Sequence, residues 1–359
     1  MNISFEVRPG ANRYVSGENV LQELPQYLTN FTQVAVITGP TSFKIFAAYY
    51  NTELAYPLFY YDGSASNEDA ARLAQEIGTA EVIIGIGGGR VLDTSKLVAE
   101  ILGCKLVAVP TLISNCAPYT PIAAVYHPDH TFKDIQYFQD APFLTLVDYR
   151  FLLATPVEYL IAGIGDTVAK WYEIEGITRR LSADTKNAGV RLGIASAKEI
   201  KNILLADSLA ALAALKEQTV TPAFGRIADT VIALAGTVGG FAVNFGRTAG
   251  AHATHNGLSY LPATHEIFHG AKVAYGVLVQ LSYTGDYDEI AQLLPFYHAV
   301  GLPTSVTQLN LGAFDAETLA PVAQLAADPT DYFNLIDPAV TGEKVLQAIE
   351  KLETFIAKN

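Results

Sequence analysis

Five short runs rich in β-branched and aromatic residues, at 33–38, 57–60, 82–85, 106–110 and 143–148, punctuate the first half of the chain, and helix-length amphipathic stretches separate most of them. Short apolar strands alternating with helices are what a parallel sheet with crossover helices requires. After Pro156 the texture changes to long Ala- and Leu-rich segments, 182–205 and 207–215 among them, with few strand candidates. The pattern predicts two domains: residues 1–155 as an α/β domain with a Rossmann-like parallel sheet, and residues 156–359 as an all-α domain. A chain of 359 residues suits two domains at roughly 100–200 residues each.

The third run continues as Ile84-Gly85-Ile86-Gly87-Gly88-Gly89-Arg90-Val91-Leu92-Asp93-Thr94-Ser95-Lys96, which reads as strand, tight turn, helix. Glycines at such a turn let the backbone approach a diphosphate, and the N–H groups of the first helical turn point at its charge. Asp93 and Lys96, one helical turn apart, add a polar pair beside the loop. The spacing is neither the usual dinucleotide fingerprint nor a P-loop, and a bare glycine triplet is also satisfied by a plain turn. The expectation is that Gly87, Gly88 and Gly89 meet a cofactor diphosphate with Asp93 nearby.

In the second half, Asp166 lies in Ala-Gly-Ile-Gly-Asp-Thr-Val-Ala-Lys, His252 in Gly-Ala-His-Ala-Thr-His-Asn-Gly and His269 in Ile-Phe-His-Gly-Ala-Lys. One oxygen and two nitrogen ligands would hold a divalent metal and leave a position open, the pattern of a catalytic rather than a structural zinc site. On a helix His252 and His255 share a face, so spacing alone allows either as a ligand.

These motifs, from Gly85–Lys96 through Asp166 to His269-Gly-Ala-Lys-Val-Ala-Tyr-Gly, together resemble the iron-containing alcohol dehydrogenase superfamily in its glycerol dehydrogenase branch, in the same order over nearly the whole chain. Cys116-Ala-Pro-Tyr-Thr-Pro and the stretch from Tyr159 to Glu173 are more similar to the bacterial hydroxycarboxylate dehydrogenase A group. The resemblance implies a dehydroquinate synthase-like architecture: a dinucleotide-binding domain followed by a helical metal domain. It further implies NAD or NADP as cofactor and one divalent metal held by Asp166, His252 and His269. His255 becomes a relay or supporting residue, and Thr111, Ser114, Thr120 and Tyr126 match positions that line the cofactor.

Three departures matter. Lys170 stands where the wider superfamily has a fourth, histidine ligand, which favours a three-ligand Zn2+ site over Fe2+. Cys116 replaces the aspartate that receives the polyol in glycerol dehydrogenases, which counts against glycerol and leaves room for an anionic group. As a covalent nucleophile Cys116 has no identifiable base beside it. Gly39 replaces the acid that holds the adenosine ribose, so NADP is not forbidden. Arg247 matches an arginine of the hydroxycarboxylate group and is the candidate partner of a substrate carboxylate, although five residues of continuous helix would turn it about 140° from His252. The implied reaction is hydride transfer between NAD(P) and a small secondary alcohol or ketone, a 2-hydroxy acid and 2-oxo acid pair being favoured over glycerol and dihydroxyacetone.

Composition narrows the partners. With 36 acidic against 23 basic residues the net charge is −13, which repels nucleic acid and anionic lipid. No signal-peptide pattern opens the chain and no apolar run reads as long enough to span a bilayer, so a cytoplasmic enzyme acting on a small-molecule substrate is expected. Cys104 and Cys116 are too few for a disulfide framework. A homo-oligomer is implied by the resemblance alone. A dehydroquinate synthase-like lyase is the remote alternative, but it needs clustered lysines and arginines for a sugar phosphate that this second half does not display.

Overall fold

The computed structural model describes residues 7–50, 52 and 54–358. The chain divides into two compact units, one formed by Arg8–Val157 with Ala210–Gly236 and the other by Glu158–Leu209 with the residues from Thr237 onward.

The first unit is α/β. Its strands are β1 (Tyr14–Gly17), β2 (Val34–Thr38), β3 (Leu58–Tyr60), β4 (Val82–Gly87), β5 (Lys105–Pro110), β6 (Ile122–Tyr126), β7 (Phe132–Tyr137) and β8 (Leu144–Asp148). Six of them form a parallel sheet in the order β1-β8-β5-β4-β2-β3, while β6 and β7 pair as a separate antiparallel hairpin. Successive residues alternate between two cores: Val34, Val36, Val82, Ile84, Val107 and Val109 enter one, and Ala35, Ile37, Ile83 and Leu106 enter the other. Burial on both faces explains why these strands are continuously apolar.

All five anticipated strands form. β1, β6 and β7 are additional: β1 is a four-residue edge strand ending in glycine, β6, Ile-Ala-Ala-Val-Tyr, is apolar but lies outside the parallel sheet, and β7, Phe-Lys-Asp-Ile-Gln-Tyr, is largely exposed and polar. Residues 210–236, which the sequence assigns to the helical domain, cluster with the α/β unit instead. Asp229 is part of the reason: it accepts from Tyr14 Oη at 2.8 Å, Tyr149 Oη at 2.7 Å and Ser16 Oγ at 3.3 Å. Composition says that this segment is helical, not which core it packs on.

The second unit is helical, and among the described residues no strand follows Asp148. From Ala188 the segments read separately at 182–205 and 207–215 join in one 29-residue helix, Ala188–Lys216, whose residues from Ala210 belong to the first unit. One run, Pro222–Gly246, is long and apolar enough to cross a membrane, which corrects the reading that none is; 56% of its most apolar window is buried inside the protein. That burial accounts for its apolarity without a bilayer, and a π-turn at Thr230–Leu234 interrupts it.

Candidate active site

In the α/β unit the candidate cofactor residues gather at the carboxyl ends of the strands. Chain order reverses at β2, with β3 on one side and β4 on the other, and such a switch point is where open α/β sheets bind ligands. Gly39 follows β2 as the N-cap of the helix Pro40–Tyr49. Its φ of −109° is open to any residue, and glycine is favoured there because a Cβ would sit 2.8 Å from Tyr61 Cε1.

Gly87 ends β4, and Gly88 is the extended N-cap of the helix Gly89–Leu102, which no side chain caps. The leading N–H groups of that helix lack intrahelical partners, which suits an anion. A Cβ on Gly87 would strike Val91 Cβ at 2.4 Å, whereas one on Gly88 would meet Leu112 Cδ1 at 3.0 Å and one on Gly89 would meet Asn115 Nδ2 at 3.0 Å. Gly87 is therefore required by packing inside the turn, while the loop after β5 lies over Gly88 and Gly89. The Thr111 N–H donates to the Gly87 carbonyl at 3.1 Å, and Thr145 Oγ1 anchors the far end of the loop on the Pro118 carbonyl at 2.6 Å.

Thr111 is buried, Ser114 is half-buried, and the Cys116 carbonyl closes a turn by accepting the N–H groups of Tyr119 and Thr120. Both cysteines are free thiols, and burial pushes Cys104 up to about 11. Tyr126 lies under the Arg90 guanidinium at 4.6 Å, and its N–H donates to the Ala65 carbonyl at 3.2 Å. Asp93 and Lys96 do meet, as a buried ion pair at 3.0 Å. Asp93 also accepts the Ala124 N–H at 3.2 Å and Lys96 donates to the Ile122 carbonyl. Their polar groups thus close the free edge of β6. Burial raises the Asp93 pKa, with Lys96 opposing.

In the helical unit three helices bring Asp166, His252 and His269 together: Val157–Thr178, Gly250–Leu258 and His269–Thr284. Glycine makes the crossings close. A Cβ on Gly270 would lie 1.8 Å from the Ala162 carbonyl oxygen, and one on Gly276 would lie 2.3 Å from that of Ala251. Asp166 Oδ1 then faces His269 Nε2 at 3.1 Å and His252 Nε2 at 3.3 Å, and one donor atom from each residue falls within 4.8 Å of the others. Bond lengths near 2.1 Å at a tetrahedral angle put neighbouring donors about 3.4 Å apart, so a single oxygen opposite two ring nitrogens fits a divalent metal. Asp166 is buried and His269 half exposed, with 52% of its side chain accessible. Burial alone would raise the Asp166 pKa, but hydrogen bonds and charge from both histidines hold it well below the carboxylate range.

Behind the triad stands a second layer. His255 Nε2 lies 2.9 Å from His269 Nδ1, and His255 Nδ1 lies 3.0 Å from Asn256 Oδ1. Lys272 reaches the same ring through Ser259, with Nζ to Oγ at 2.9 Å and Oγ to Nε2 at 3.2 Å. Burial, then the neighbouring cationic groups, hold His255 well below its ordinary pKa. Glu173, which the sequence reading did not single out, lies against His252 Nδ1 at 2.9 Å. Its signal was its spacing, seven residues after Asp166 on one helix. Lys170 Nζ donates to the Arg247 carbonyl at 3.0 Å.

The model for the iron-containing alcohol dehydrogenases matches residues 11–149. Hydroxycarboxylate dehydrogenase A of Escherichia coli is 39% identical over 298 residues, 83% of this chain and 82% of that one. The chain belongs to the iron-containing alcohol dehydrogenase family. Glycerol dehydrogenase of Thermotoga maritima is 31% identical over 98% of both chains. The crystal structure of a probable glycerol dehydrogenase from Sinorhizobium meliloti superposes with a TM-score of 0.87 at 26% identity, covering 99% of this chain and 100% of that one.

As a member of the iron-containing alcohol dehydrogenase family the protein is an NAD(P)- and metal-dependent dehydrogenase acting on alcohol groups. In this family member the helix carrying His252 begins at Gly250, so Arg247 precedes it and the continuous-helix rotation does not apply. The aliphatic stem of Arg247 passes Gly239, where a Cβ would meet its Cγ at 3.2 Å.

Proposed function

We propose that this dehydrogenase interconverts a small 2-hydroxy acid and its 2-oxo acid, using NAD or NADP and one divalent metal, Zn2+ in preference to Fe2+, held by Asp166, His252 and His269. The observation that carries the metal reading is Asp166 Oδ1 opposite two imidazole Nε2 atoms. When bound, the nicotinamide takes or returns the hydride and the cation supplies a Lewis acid for the substrate oxygen.

The protein's own part is positioning. Gly88 and Gly89, with the uncapped helix behind them, receive the diphosphate, and Thr111, Ser114, Thr120 and Tyr126 line the nucleotide. Asp93 acts at one remove, by fixing β6 and hence Tyr126. A His269 ring that offers Nε2 to a metal carries its hydrogen on Nδ1 and donates it to His255 Nε2; His255 in turn donates from Nδ1 to Asn256 Oδ1. His255, kept neutral at pH 7, orients His269 by accepting at Nε2. Cys116 contributes a compact wall rather than a nucleophile.

The substrate class rests on Arg247 and on likeness to hydroxycarboxylate dehydrogenase A. A guanidinium offers two parallel donors to a carboxylate. Glycerol is the second reading, favoured by the full-length match to a glycerol dehydrogenase. Arg247→Leu, assayed with a 2-oxo acid and a neutral ketone of matched size using both cofactors, separates them. A loss of about tenfold or more in kcat/KM confined to the acid supports the pairing, at roughly 1.4 kcal/mol per factor of ten. Equal effects on both substrates, or glycerol oxidised better than any 2-hydroxy acid, sink it.

A further inference from the structure

Glu173 holds the His252 segment through both carboxylate oxygens. Its Oε1 accepts the N–H of Ala249 at 2.6 Å and of His252 at 3.0 Å, while the His252 ring Nδ1 lies 3.0 Å from Oε1 and 2.9 Å from Oε2. The carboxylate is 3% exposed. The helix Gly250–Leu258 has alanine at its N-cap and no side-chain cap of its own, so Glu173 supplies that cap from another helix. Lys170, one turn earlier, holds the Arg247 carbonyl at 3.0 Å. Asp166, Lys170 and Glu173 are spaced i, i+4, i+7, so they form one stripe of the helix Val157–Thr178, and all three are buried. The stripe meets the chain from Arg247 to His252 at its carbonyl, its amides and its imidazole.

An ionised carboxylate only accepts, so the ring nitrogen facing it carries the hydrogen. Asp166 Oδ1 lies 3.3 Å from Nε2; a metal between them would take the Nε2 lone pair and leave the ring's one hydrogen on Nδ1, facing Glu173. We infer that Glu173, supported by Lys170, is a positioning residue that fixes the tautomer and rotation of His252 so that Nε2 is presented as a metal donor. This rests on the metal reading above. Lys170, in this account, replaces a ligand with a tether: it gives the metal nothing and holds the strand of chain that leads into His252.

The test is the Zn2+ dissociation constant, by competition with a chromophoric chelator, for wild type, Glu173→Gln, Glu173→Asp and Asp166→Asn, with thermal unfolding of each metal-free protein. Glutamine keeps an amide oxygen for the backbone N–H groups but cannot accept from Nδ1 with a charged second oxygen. Loss of such an outer partner weakens metal binding by about 10- to 100-fold. Glu173→Gln should show that loss with little change in unfolding temperature, and Glu173→Asp, which retains the charge, a smaller loss. Wild-type affinity in folded Glu173→Gln overturns the inference and leaves the triad standing; a wild type that binds no zinc overturns the triad and the inference with it. Should Glu173→Gln not fold, 15N spectra of histidine in the zinc-loaded wild type decide. Protonated Nδ1 on His252 supports the assignment, and protonated Nε2 refutes it.

Discussion

Gly270→Ala should damage the site through geometry alone. The new Cβ would fall 1.8 Å from the Ala162 carbonyl oxygen and 3.0 Å from the Asp166 backbone nitrogen, where real Cβ contacts essentially never fall under 3.0 Å. The helices Val157–Thr178 and His269–Thr284 must therefore part by about 1.2 Å, the difference between those two limits. His269 is the adjacent residue, so its Nε2, now 3.1 Å from Asp166 Oδ1, moves beyond the roughly 3.4 Å spacing of donors around one tetrahedral ion. Overpacking of this kind costs about 1–3 kcal/mol, and a displacement near 1 Å at a reacting centre costs on the order of a hundredfold in rate. The assay is Zn2+ affinity and kcat/KM beside the unfolding temperature. Gly193→Ala is the control, because its Cβ would press on Ala242 at 2.7 Å, away from the three helices that carry the triad; it should lose stability while keeping metal affinity. Wild-type turnover and affinity in Gly270→Ala would refute the claim that the glycine crossing sets the donor spacing.

Two further outcomes concern the glycine turn after β4 and the charge on His252. Gly88→Ala has an ordinary φ of −79° and only the flexible Leu112 to displace, so the fold should persist while the KM for the cofactor rises by about tenfold; an unchanged KM would make the turn structural only. His252 is raised to about 9 in the metal-free protein, burial pulling it down but Glu173 and Asp166 outweighing that. The protonated ring's contribution to stability is then full below its unfolded pKa of about 6.5 and lost as pH climbs through about 9, while zinc needs the neutral ring, so zinc affinity should increase by up to tenfold per pH unit from about 6.5 to 9 and then level off. A flat profile in chelator competition contradicts this.

The parallel sheet was legible because β2, β4, β5 and β8 are buried on both faces and must be apolar throughout, while β6 and β7, a half-exposed hairpin, carry no comparable constraint. Family motifs pointed to Asp166, His252 and His269 individually, but their convergence depends on glycine crossings between helices, which no one-dimensional spacing encodes. Asp93 illustrates the converse. Its one-turn spacing to Lys96 was visible, yet the direction of its carboxylate depended on the edge of β6, whose place beside this helix no local pattern encodes. Glu173 was missed for a similar reason: the partner that gives it meaning is 79 positions away.

The central claim is that Asp166, His252 and His269 hold the metal on which turnover depends. Metal content by elemental analysis, measured beside reduction of a 2-oxo acid by NADH and NADPH, tests it most directly. The account predicts one divalent ion per chain in active wild type, loss of both ion and turnover on chelation, recovery with Zn2+, and neither in His269→Ala. Full activity in metal-free His269→Ala protein would contradict it.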